Sequence, residues 1–323
     1  MTWLWKSSLK VIFVTCMIEL NINNEFDKLE QVVLGTAVSF GGEPAIEDAY
    51  DPKSLEHILA GTFPKEADLV PEMEAVQIVL RKYGVEVFRP RVIDDYNQIF
   101  TRDIAFVIQN KMVICNMLEE RAQEIEAIQH VIGQIDPSNI IRMPAHAYLE
   151  GGDVMPVNDH IFVGCADEED FVKYTVARSN PAGLEFLEAT FPDYTIKGFQ
   201  LVKSDKDPRY NALHLDCCFQ PLGRGHAIMF THGFKNQEDV AFLRQYFGAN
   251  KLFEITREEM YEMNSNVFSI SDSVVISEKN FTRLNNWMES KGFTVEKVAY
   301  SETAKMEGLL RCSTLPLRRT PQN

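Results

Sequence analysis

The chain has 323 residues, of which 45% are hydrophobic and 24% are charged, and its formal net charge at pH 7 is −15. This length allows one large domain or two ordinary domains with a substantial core. The negative charge argues against nucleic acid and against an anionic membrane surface as partners, because both carry negative charge themselves. The composition is typical of a soluble enzyme.

The first residues resemble a weak secretion signal. Lys6 and Lys10 precede a short apolar run, residues 11–17, which is too short to span a bilayer and lacks a small-residue cleavage site. We expect a translation start set too early, with the protein beginning at Met17, and we assign residues 1–24 to an N-terminal extension. No other stretch approaches the roughly 20 apolar residues that a transmembrane helix needs, so no membrane span is predicted.

From about residue 25 onward, the chain alternates short β-like runs with helical patterns. The predicted strands are rich in Val, Ile and Phe and are bounded by turn residues; they cover residues 31–38, 85–93, 104–117, 160–166, 212–223, 226–234, 266–277 and 293–300. The predicted helices carry apolar residues three to four positions apart; they cover residues 118–135, 180–192, 236–248 and 281–292. No Pro/Ser-rich linker divides the chain, so we predict a single α/β domain over residues 25–323.

The stretch HLDCCF, residues 214–219, pairs a histidine with an acid. In a strand, side chains alternate between two faces, so His214, Asp216 and Cys218 would share one face. The other face is more apolar, which would leave the polar face to present a His–carboxylate pair to a cleft. On its own, the pattern is more typical of a surface strand with a local His–Asp contact.

Two further stretches combine acids with glycine or arginine. EGGD, from Glu150 to Asp153, places two carboxylates around a glycine pair that allows close backbone approach. FTRD ends in Arg102 and Asp103, just before a predicted strand. Each stretch also has an ordinary interpretation, as a tight turn with solvated acids and as a salt-bridged strand entry.

The cysteine near the C-terminus is the fourth notable feature. Cys312 lies between a glycine-led apolar turn and a basic tail. It is compatible with a nucleophile, whose thiol needs cationic or hydrogen-bonding neighbours to lower its pKa from about 8.5, and equally with a small buried hydrophobe. Cys218 is the alternative nucleophile. The six cysteines are scattered and form no CxxC pair, which predicts reduced thiols and a cytoplasmic location.

A metal site is another interpretation of these side chains. His214, Cys217, Cys218 and His226 are of the ligand types that zinc uses. Adjacent cysteines on a strand point to opposite faces, however, and zinc ligands have to converge. We therefore predict neither a metal nor another cofactor.

Together and in this order, the four stretches resemble the guanidino-group-modifying enzymes, which include arginine deiminase, dimethylarginine dimethylaminohydrolase and glycine amidinotransferase. The resemblance runs from about Glu25 to the C-terminus. It implies the pentein fold, an α/β propeller of five pseudosymmetric ββαβ units around a central site. It also implies a small guanidino substrate as the partner, and it leaves the oligomeric state open.

The resemblance implies a role for each residue. Cys312 matches the nucleophile, His214 the general acid/base, and Glu150 the carboxylate that orients the histidine. The guanidinium would lie between Asp103 and Asp216. Three further residues match supporting positions of the family: Arg121 for the substrate carboxylate, and Asp153 and Arg102 around the site.

The implied reaction is hydrolysis of a guanidino compound through a covalent amidino-cysteine, releasing ammonia or an amine and a ureide. The EGGD and FTRD stretches match the hydrolases, and Asp216 matches the deiminases, which act on an unsubstituted guanidinium. Residues 214–225 also resemble the amidinotransferases, so transfer of the amidino group to an amine is the alternative. A non-catalytic pentein binding module is the third interpretation, and Cys312, His214 and Glu150 argue against it.

One departure from the family concerns the tail of the substrate. Arginine deiminases carry a second arginine after the EGGD strand, but residues 164–170 of this chain read GCADEED and include four acids. Free L-arginine is therefore in question as a substrate, unless Arg142, Arg178 or Arg224 takes that place.

Overall fold

The fold consists of five three-stranded sheets that follow one pattern. The computed structural model describes residues 17–322. Its strands are β1 (Lys28–Leu34), β2 (Glu86–Phe88), β3 (Ala105–Ile108), β4 (Lys111–Ile114), β5 (Ile140–Arg142), β6 (Val154–Val157), β7 (His160–Cys165), β8 (Thr195–Gln200), β9 (Phe219–Pro221), β10 (Ala227–Met229), β11 (Leu252–Glu254), β12 (Phe268–Ser269), β13 (Val274–Glu278), β14 (Thr294–Val298) and β15 (Thr314–Thr320). With the central strand in the middle, the sheets are β15–β1–β2, β3–β4–β5, β6–β7–β8, β9–β10–β11 and β12–β13–β14.

In every sheet, the central strand pairs antiparallel with one neighbour and parallel with the other. A parallel pair needs a crossover connection, and each sheet supplies it with helices between its central strand and its parallel neighbour. The helices are α1 (Pro52–Leu59), α2 (Glu66–Lys82), α3 (Thr101–Ile104), α4 (Glu124–Ala127), α5 (Gln129–Ile132), α6 (Glu168–Lys173), α7 (Pro181–Thr190), α8 (Gln237–Phe247), α9 (Arg257–Tyr261) and α10 (Thr282–Ser290). All except α3 and α9 lie in such crossovers. The predicted pentein architecture of five ββαβ units is confirmed.

The first sheet is completed by the last strand. β15 runs antiparallel to β1, from Lys28 opposite Thr320 to Leu34 opposite Thr314. The C-terminal segment therefore folds back onto the first strand of the domain. Cys312 lies two residues before β15, so this pairing fixes the position of the loop that carries it.

The hydrophobic core includes a cluster of aromatic side chains from neighbouring units. The ring of Phe162 on β7 packs edge-on against Phe199 on β8 and Phe219 on β9, with ring centroids 5.4 and 6.1 Å apart. All three side chains are fully buried. Edge-to-face contacts of this kind add to the stabilisation that burial of the rings provides.

The helix α1 begins at a clear sequence signal. The Asp51 carboxylate accepts a hydrogen bond of 2.7 Å from the backbone N–H of Ser54, and Pro52 occupies the first helical position. An acid at the cap accepts a hydrogen bond from a free N–H of the first turn. Proline is tolerated at the first helical position because the N–H that it lacks would have no partner in the helix. This cap fixes the Asp51 side chain at the start of the helix.

The segment around His214 differs from its predicted conformation. Of the predicted strand 212–223, only residues 219–221 form a strand, and Leu215–Cys217 form a turn of 3₁₀ helix. The backbone N–H of Leu215 donates to Asp153 Oδ1 at 2.8 Å, a contact that period-two alternation does not anticipate. The prediction that His214, Asp216 and Cys218 share one strand face is therefore wrong.

The N-terminal extension is described only in part. Residues 1–16, which include the signal-like run up to Cys16, lie outside the described residues. Ile18 and Ile22 are buried, and both residues form isolated bridges to other parts of the domain. The predicted boundary at residue 25 thus falls directly after a packed segment.

Two further observations concern the part of the chain that the structure describes. None of its helices combines the length and the apolar character that crossing a membrane requires. Its five cysteines are buried and unpaired, as the scattered spacing predicts: Cys115, Cys165, Cys217, Cys218 and Cys312.

Candidate active site

A cavity of about 220 Å³ brings together residues that are far apart in the sequence. Four of the predicted site residues line it: Asp103, Arg121, His214 and Cys312. The loop of residues 40–50 and the start of α1 form another part of its wall. A concave site that is lined by apolar side chains and a few charged groups is typical of small-molecule binding. The other predicted residues lie behind this wall: Glu150, Asp153, Asp216 and Arg102.

His214 lies between two carboxylates. Its Nε2 is 2.9 Å from Glu150 Oε2, and its Nδ1 is 3.8 Å from Asp103 Oδ1. Burial opposes the charged imidazolium, but Asp103, Asp153 and Glu150 outweigh that effect and raise the pKa of the imidazole to about 9. With this pKa, His214 carries a proton at neutral pH, and its Nε2 donates to Glu150.

The glycine pair of EGGD allows the backbone to pack directly against the site. A Cβ at Gly151 would lie 2.1 Å from the carbonyl oxygen of Arg102. A Cβ at Gly152 would lie 2.6 Å from His214 Nδ1. Both distances are shorter than any real contact of this kind, so the turn depends on glycine at both positions.

Cys312 is held by a buried asparagine. The side-chain oxygen of Asn266 accepts hydrogen bonds from the backbone N–H groups of Arg311 at 2.9 Å and Cys312 at 3.2 Å. Its amide nitrogen donates to Cys312 Sγ at 3.1 Å. Asn266 begins a predicted strand, and no feature of the sequence points to this role.

The environment of Cys312 favours the neutral thiol. Burial raises the pKa of the thiol well above its ordinary value, and the carboxylates of Asp216 and Asp103 raise it further. The hydrogen bond from Asn266 acts in the opposite direction but is the smaller effect. As long as these carboxylate charges are not compensated, the neutral thiol of Cys312 is favoured over the thiolate.

Arg311 is a fully buried cation that joins several segments of the site. Its Nη1 donates to Asp216 Oδ2 at 2.9 Å, and its Nε and Nη2 donate to the Glu25 carboxylate at 3.2 and 3.0 Å. Burial opposes the charge, but Glu25 and Asp216 raise the pKa of Arg311 above its ordinary value. Its remaining hydrogen bonds reach the carbonyl oxygens of Gly151, Gly152 and Val154.

Asp216 faces Arg311 and the thiol rather than the cavity. Cys312 Sγ donates to Asp216 Oδ2 at 3.5 Å, and the same oxygen accepts from Arg311. Asp216 is fully buried and is absent from the cavity wall. These contacts assign it to the buried ion pair, so the inference of a deiminase from Asp216 loses its basis.

Asp153 and Arg102 support the site without lining the cavity. Asp153 Oδ1 accepts from the backbone N–H of Leu215 at 2.8 Å, which anchors the residue after His214. The backbone N–H of Arg102 donates to the carbonyl oxygen of Cys312 at 2.9 Å. Both contacts hold backbone next to His214 or Cys312, and the supporting roles of Asp153 and Arg102 stay a prediction.

Arg121 lines the cavity but is already engaged. Its Nη1 donates to Asp103 Oδ2 at 2.9 Å, and its Nε and Nη2 donate to the Glu124 carboxylate at 2.6 and 3.0 Å. Its predicted role with a substrate carboxylate would require part of this network to open.

Of the three arginines that the sequence leaves open, Arg178 is the one on the cavity wall. Its Nη2 donates to the carbonyl oxygen of Tyr50 at 3.1 Å. Arg142 is exposed at the end of β5, and Arg224 bonds the carbonyl oxygen of Gly292 elsewhere on the surface. Like Arg121, Arg178 is already engaged, because its Nη1 lies 3.5 Å from Glu150 Oε1.

Cys218 has no access to the cavity. Its Sγ donates to the carbonyl oxygen of Leu215 at 3.5 Å, and burial raises the pKa of its thiol. It is absent from the cavity wall. The structure thus gives no support to Cys218 as the alternative nucleophile.

Within residues 17–322, one cluster of side chains has the chemistry and spacing of metal ligands. Ligand atoms of Asp103, Glu150 and His214 lie within 4.8 Å of one another. Glu150 is hydrogen-bonded to His214, and Asp103 accepts from Arg121, so these contacts account for the cluster. Of the four residues considered as zinc ligands from the sequence, only His214 belongs to this cluster.

The chain matches a known enzyme family over residues 64–319, the family described as N,N dimethylarginine dimethylhydrolase, eukaryotic. This chain belongs to that family. The matched region contains Asp103, Glu150, His214 and Cys312. The predicted superfamily of guanidino-group-modifying penteins is confirmed.

Two further proteins are similar in sequence to most of this chain. An uncharacterized protein of Bacillus subtilis, YkgA, is 29% identical over 241 residues, which are 74% of this chain and 77% of that protein. The N(G),N(G)-dimethylarginine dimethylaminohydrolase of Pseudomonas aeruginosa is 24% identical over 197 residues, which are 61% of this chain and 67% of that enzyme.

Solved structures share the fold at low sequence identity. The N-terminal domain of ArgZ, an arginine dihydrolase from cyanobacteria, superposes with a TM-score of 0.73 and 14% identity, covering 91% of this chain and 98% of that domain. The inosamine-phosphate amidinotransferase StrB1 from Streptomyces griseus gives a TM-score of 0.69 and 17% identity, covering 94% and 97%. Hydrolases and amidinotransferases therefore both occur on this fold.

Proposed function

We propose that this chain is a cysteine-dependent hydrolase of a guanidino compound, with chemistry like that of arginine deiminase. Cys312 attacks the guanidinium carbon, a covalent amidino-cysteine forms, and water releases a ureide. The observation that carries the proposal is the meeting of Cys312, Asp103 and the Glu150-bonded His214 at one cavity. The family match supports the same class of reaction.

Asp103 supplies an acceptor for the guanidinium. Its Oδ2 accepts from Arg121, whereas its buried Oδ1 has no hydrogen-bond partner among the described residues. A guanidinium carries five N–H donors in a fixed fork and pairs well with carboxylate oxygens. Such a pairing at Oδ1 would hold the substrate beside His214, whose Nδ1 lies 3.8 Å from that oxygen.

The substrate cation also activates the nucleophile. The Asp103 and Asp216 carboxylates disfavour the thiolate of Cys312. A guanidinium paired with Asp103 compensates one of these charges and brings a positive charge towards Sγ, so the pKa of the thiol falls. The thiol proton is released as the cation binds.

The proton on His214 completes the first half of the reaction. The thiolate adds to the guanidinium carbon and forms a neutral tetrahedral adduct. His214 then donates its proton to the leaving nitrogen, and the C–N bond breaks to give ammonia or an amine. Cys312 is left with a cationic amidino group on sulfur.

Water completes the second half. The now neutral His214 accepts a proton from a water molecule, whose oxygen adds to the same carbon. The C–S bond breaks, the thiolate leaves, and loss of one further proton gives the ureide. Since Asp216 does not line the cavity, both free and methylated guanidines remain candidates for this sequence of steps.

The proposal is tested by turnover of a panel of guanidines, which includes arginine, methylarginines, agmatine, guanidinoacetate and N-acylated arginines. Each is incubated with and without glycine or another amine, beside a Cys312→Ser control. We expect ammonia or an amine, together with a ureide, without added amine and in the wild type alone. Product formed only when an amine is present would instead establish an amidinotransferase, and no product from any guanidine would refute the hydrolase.

A further inference from the structure

A second cavity, of about 340 Å³, lies outside the candidate active site and is formed by different residues. Its wall comes from α9, the start of α10 and the loops beside them. The volume lies within the range of small-ligand sites. Its charged wall residues are one arginine and four glutamates: Arg283, Glu258, Glu259, Glu262 and Glu278. The cavity is therefore strongly negative.

The arginine of this wall is already engaged. Arg283 Nε donates to Glu259 Oε1 at 2.7 Å, and its Nη2 donates to the carbonyl oxygen of Glu254 at 2.8 Å. Glu259 also accepts from the backbone N–H of Thr256 and so closes the cap of α9. The arginine thus compensates Glu259 and leaves the charges of the other three glutamates to be balanced.

Two of these glutamates form the rim of the cavity. Glu258 and Glu262 are exposed and lie one helical turn apart, since the backbone N–H of Glu262 donates to the carbonyl oxygen of Glu258 at 2.9 Å. Like charges at this spacing repel one another. Glu262 raises the pKa of Lys53, but Lys53 lies outside the cavity wall. A positive charge at the rim would relieve the repulsion.

A buried amide lines the inner part of the cavity. Asn264 is only 4% exposed, and its Oδ1 has no hydrogen-bond partner among residues 17–322. Buried polar side-chain atoms usually have a partner, because they lose their contact with water. The amide oxygen is therefore an acceptor that a donor inside the cavity would satisfy.

Glu278 is a buried carboxylate on the same wall, at 1% exposure. Its oxygens accept from the backbone N–H of Asn280 and, at 3.2 Å, from Asn280 Nδ2, and both donors are neutral. Burial raises the pKa of Glu278, although these hydrogen bonds and Lys279 oppose the effect. A cation within the cavity would favour the ionised carboxylate.

The spacing of the acids indicates the chemical class of the cation. Within residues 17–322, the cluster with the spacing of metal ligands is the one around His214, not this group of glutamates. Calcium and magnesium need several oxygen ligands that converge on one point. Separated acids, together with the buried apolar side chains of Phe281 and Ala304, suit an alkyl chain that carries more than one ammonium group.

We propose that this cavity is a second ligand site, which binds a linear alkyldiamine. One ammonium group donates to Glu278 and to Asn264 Oδ1, the methylene groups lie against Phe281, and the other ammonium group lies at the rim with Glu258 and Glu262. The inference is independent of the proposed function, because none of these residues takes part in the proposed reaction.

The test is isothermal titration calorimetry of the full chain with 1,4-diaminobutane, beside n-butylamine as the ligand with one charge. We expect one diamine site, with the monoamine bound at least about threefold more weakly because it lacks the rim contact. Glu278→Gln and Asn264→Ala should each weaken binding of the diamine about tenfold or more, the usual effect of losing a hydrogen bond to a charged group. In Glu262→Gln the loss should be about two- to threefold, since this acid is exposed.

The variants are chosen to keep the fold. Glutamine at 278 retains an oxygen for Asn280, and Asn264 Oδ1 has no partner to lose among the described residues. Glu188→Gln is the matched control, because it removes one exposed charge on α7, outside the cavity. Asp103→Asn controls for binding at the first cavity. Both controls should bind the diamine as the wild type does, and far-UV circular dichroism verifies that each variant is folded.

Four results would overturn the proposal. The first is the absence of binding at millimolar diamine. The second is an equal loss in Glu188→Gln and Glu278→Gln, which would indicate general attraction to an acidic protein. The third is a loss confined to Asp103→Asn, which would place the diamine in the first cavity. The fourth is binding of Ca²⁺ or Mg²⁺ that Glu278→Gln abolishes while diamine binding stays unchanged, which would assign the cavity to a metal ion.

Discussion

Asn266 supplies the only side-chain hydrogen-bond donor to Cys312 Sγ within residues 17–322. A donor at 3.1 Å stabilises the thiolate form more than the thiol, because the acceptor then carries a full charge. The same asparagine also orders the backbone of residues 311 and 312. It is therefore expected to act as a positioning residue for the nucleophile.

Substitution Asn266→Ala should lower kcat about 10- to 100-fold, the usual effect of losing one hydrogen bond to a charged group. The rate of Cys312 alkylation by iodoacetamide, measured against pH, should shift towards higher pH because the thiolate loses its donor. Asn285→Ala is the matched control: Asn285 is a buried amide that bonds the carbonyl oxygen of Glu278 away from the cavity. An alkylation profile that stays unchanged in Asn266→Ala would contradict this role.

The imidazole of His214 should titrate near pH 9, because the surrounding carboxylates outweigh its burial. Nitrogen-15 NMR of the imidazole checks this value directly. In Glu150→Gln the titration should move to lower pH, since one of the charges that stabilise the imidazolium is removed. A titration at the ordinary value of 6.5 in the wild type would show that the carboxylates do not control His214.

The same shift links stability to pH. The folded protein binds the His214 proton more tightly than the unfolded chain does, because the pKa is raised from 6.5 to about 9 on folding. The resulting stabilisation is complete below about pH 6.5 and is lost as the pH rises through about 9.

At the scale of single residues, the sequence identifies the catalytic candidates but not their partners. Cys312, His214 and Asp103 are found through short stretches that carry a recognisable order, and the structure brings them to one cavity. Asn266 carries no such pattern. Its role arises from a contact with Cys312 across 46 residues, which composition and spacing do not encode.

At the scale of elements, the EGGD turn is a support for the histidine ring. Its second glycine lies against the ring so closely that a methyl group would meet Nδ1 and Cγ at 2.6 and 2.7 Å. The ring is also fixed on its other side by Glu150. A side chain on this turn would therefore displace the ring rather than be accommodated.

Substitution Gly152→Ala should lower kcat/KM about 100-fold, because a displacement of about 1 Å in a catalytic group typically costs that much. Steady-state kinetics measure the loss, and circular dichroism shows whether the fold is retained. Gly133→Ala is the control, since Gly133 has a helical φ of −65° and lies outside the cavity wall. Equal activity of the two variants would show that the glycine is not needed by His214.

The HLDCCF segment shows where element prediction fails. Six residues with alternating polarity fit a strand, but tertiary hydrogen bonds hold this segment as a 3₁₀ turn. Asp153 binds the N–H of Leu215, and Arg311 binds Asp216. Because these partners are distant in the chain, local alternation could not reveal them.

At the scale of the whole molecule, Arg311 joins the start of the domain to its end. It contacts Glu25 before β1, the EGGD turn, and Asp216 in the HLDCCF segment. Burial of a cation with two carboxylates is tolerated only when the hydrogen bonds are nearly complete. Removing the cation would leave Asp216 without its ion-pair partner and Glu25 with Arg102, whose Nη1 lies 3.7 Å away.

Substitution Arg311→Met should destabilise the protein by about 3–5 kcal/mol, the usual cost of removing one partner of a buried ion pair. Urea unfolding measures the change in the free energy of unfolding. Arg244→Met is the control, because the Arg244–Glu254 pair is about half exposed and such pairs contribute about 0–1 kcal/mol. Equal midpoints for the two variants would contradict the role given to Arg311.

Only part of the architecture of five sheets could be predicted from the sequence. Alternation of strand and helix patterns indicates a single α/β domain, whereas the five-unit arrangement followed from the resemblance. Mixed pairing within each sheet and the closure of the first sheet by β15 are long-range features. Local patterns carry no information about which distant strands will pair.

The pairing of β15 with β1 also places one folding step at the end of translation. Lys28 lies opposite Thr320, so the first sheet is completed by contacts that span almost the whole domain. During translation, the strands of the other four sheets leave the ribosome before β15 does, and the segment that carries Cys312 emerges only just ahead of it. A product truncated before this segment would have neither the nucleophile nor a complete first sheet. Under the proposed function, a chain that ends before this segment would therefore be inactive, and the last residues to be synthesised would complete both the first sheet and the site.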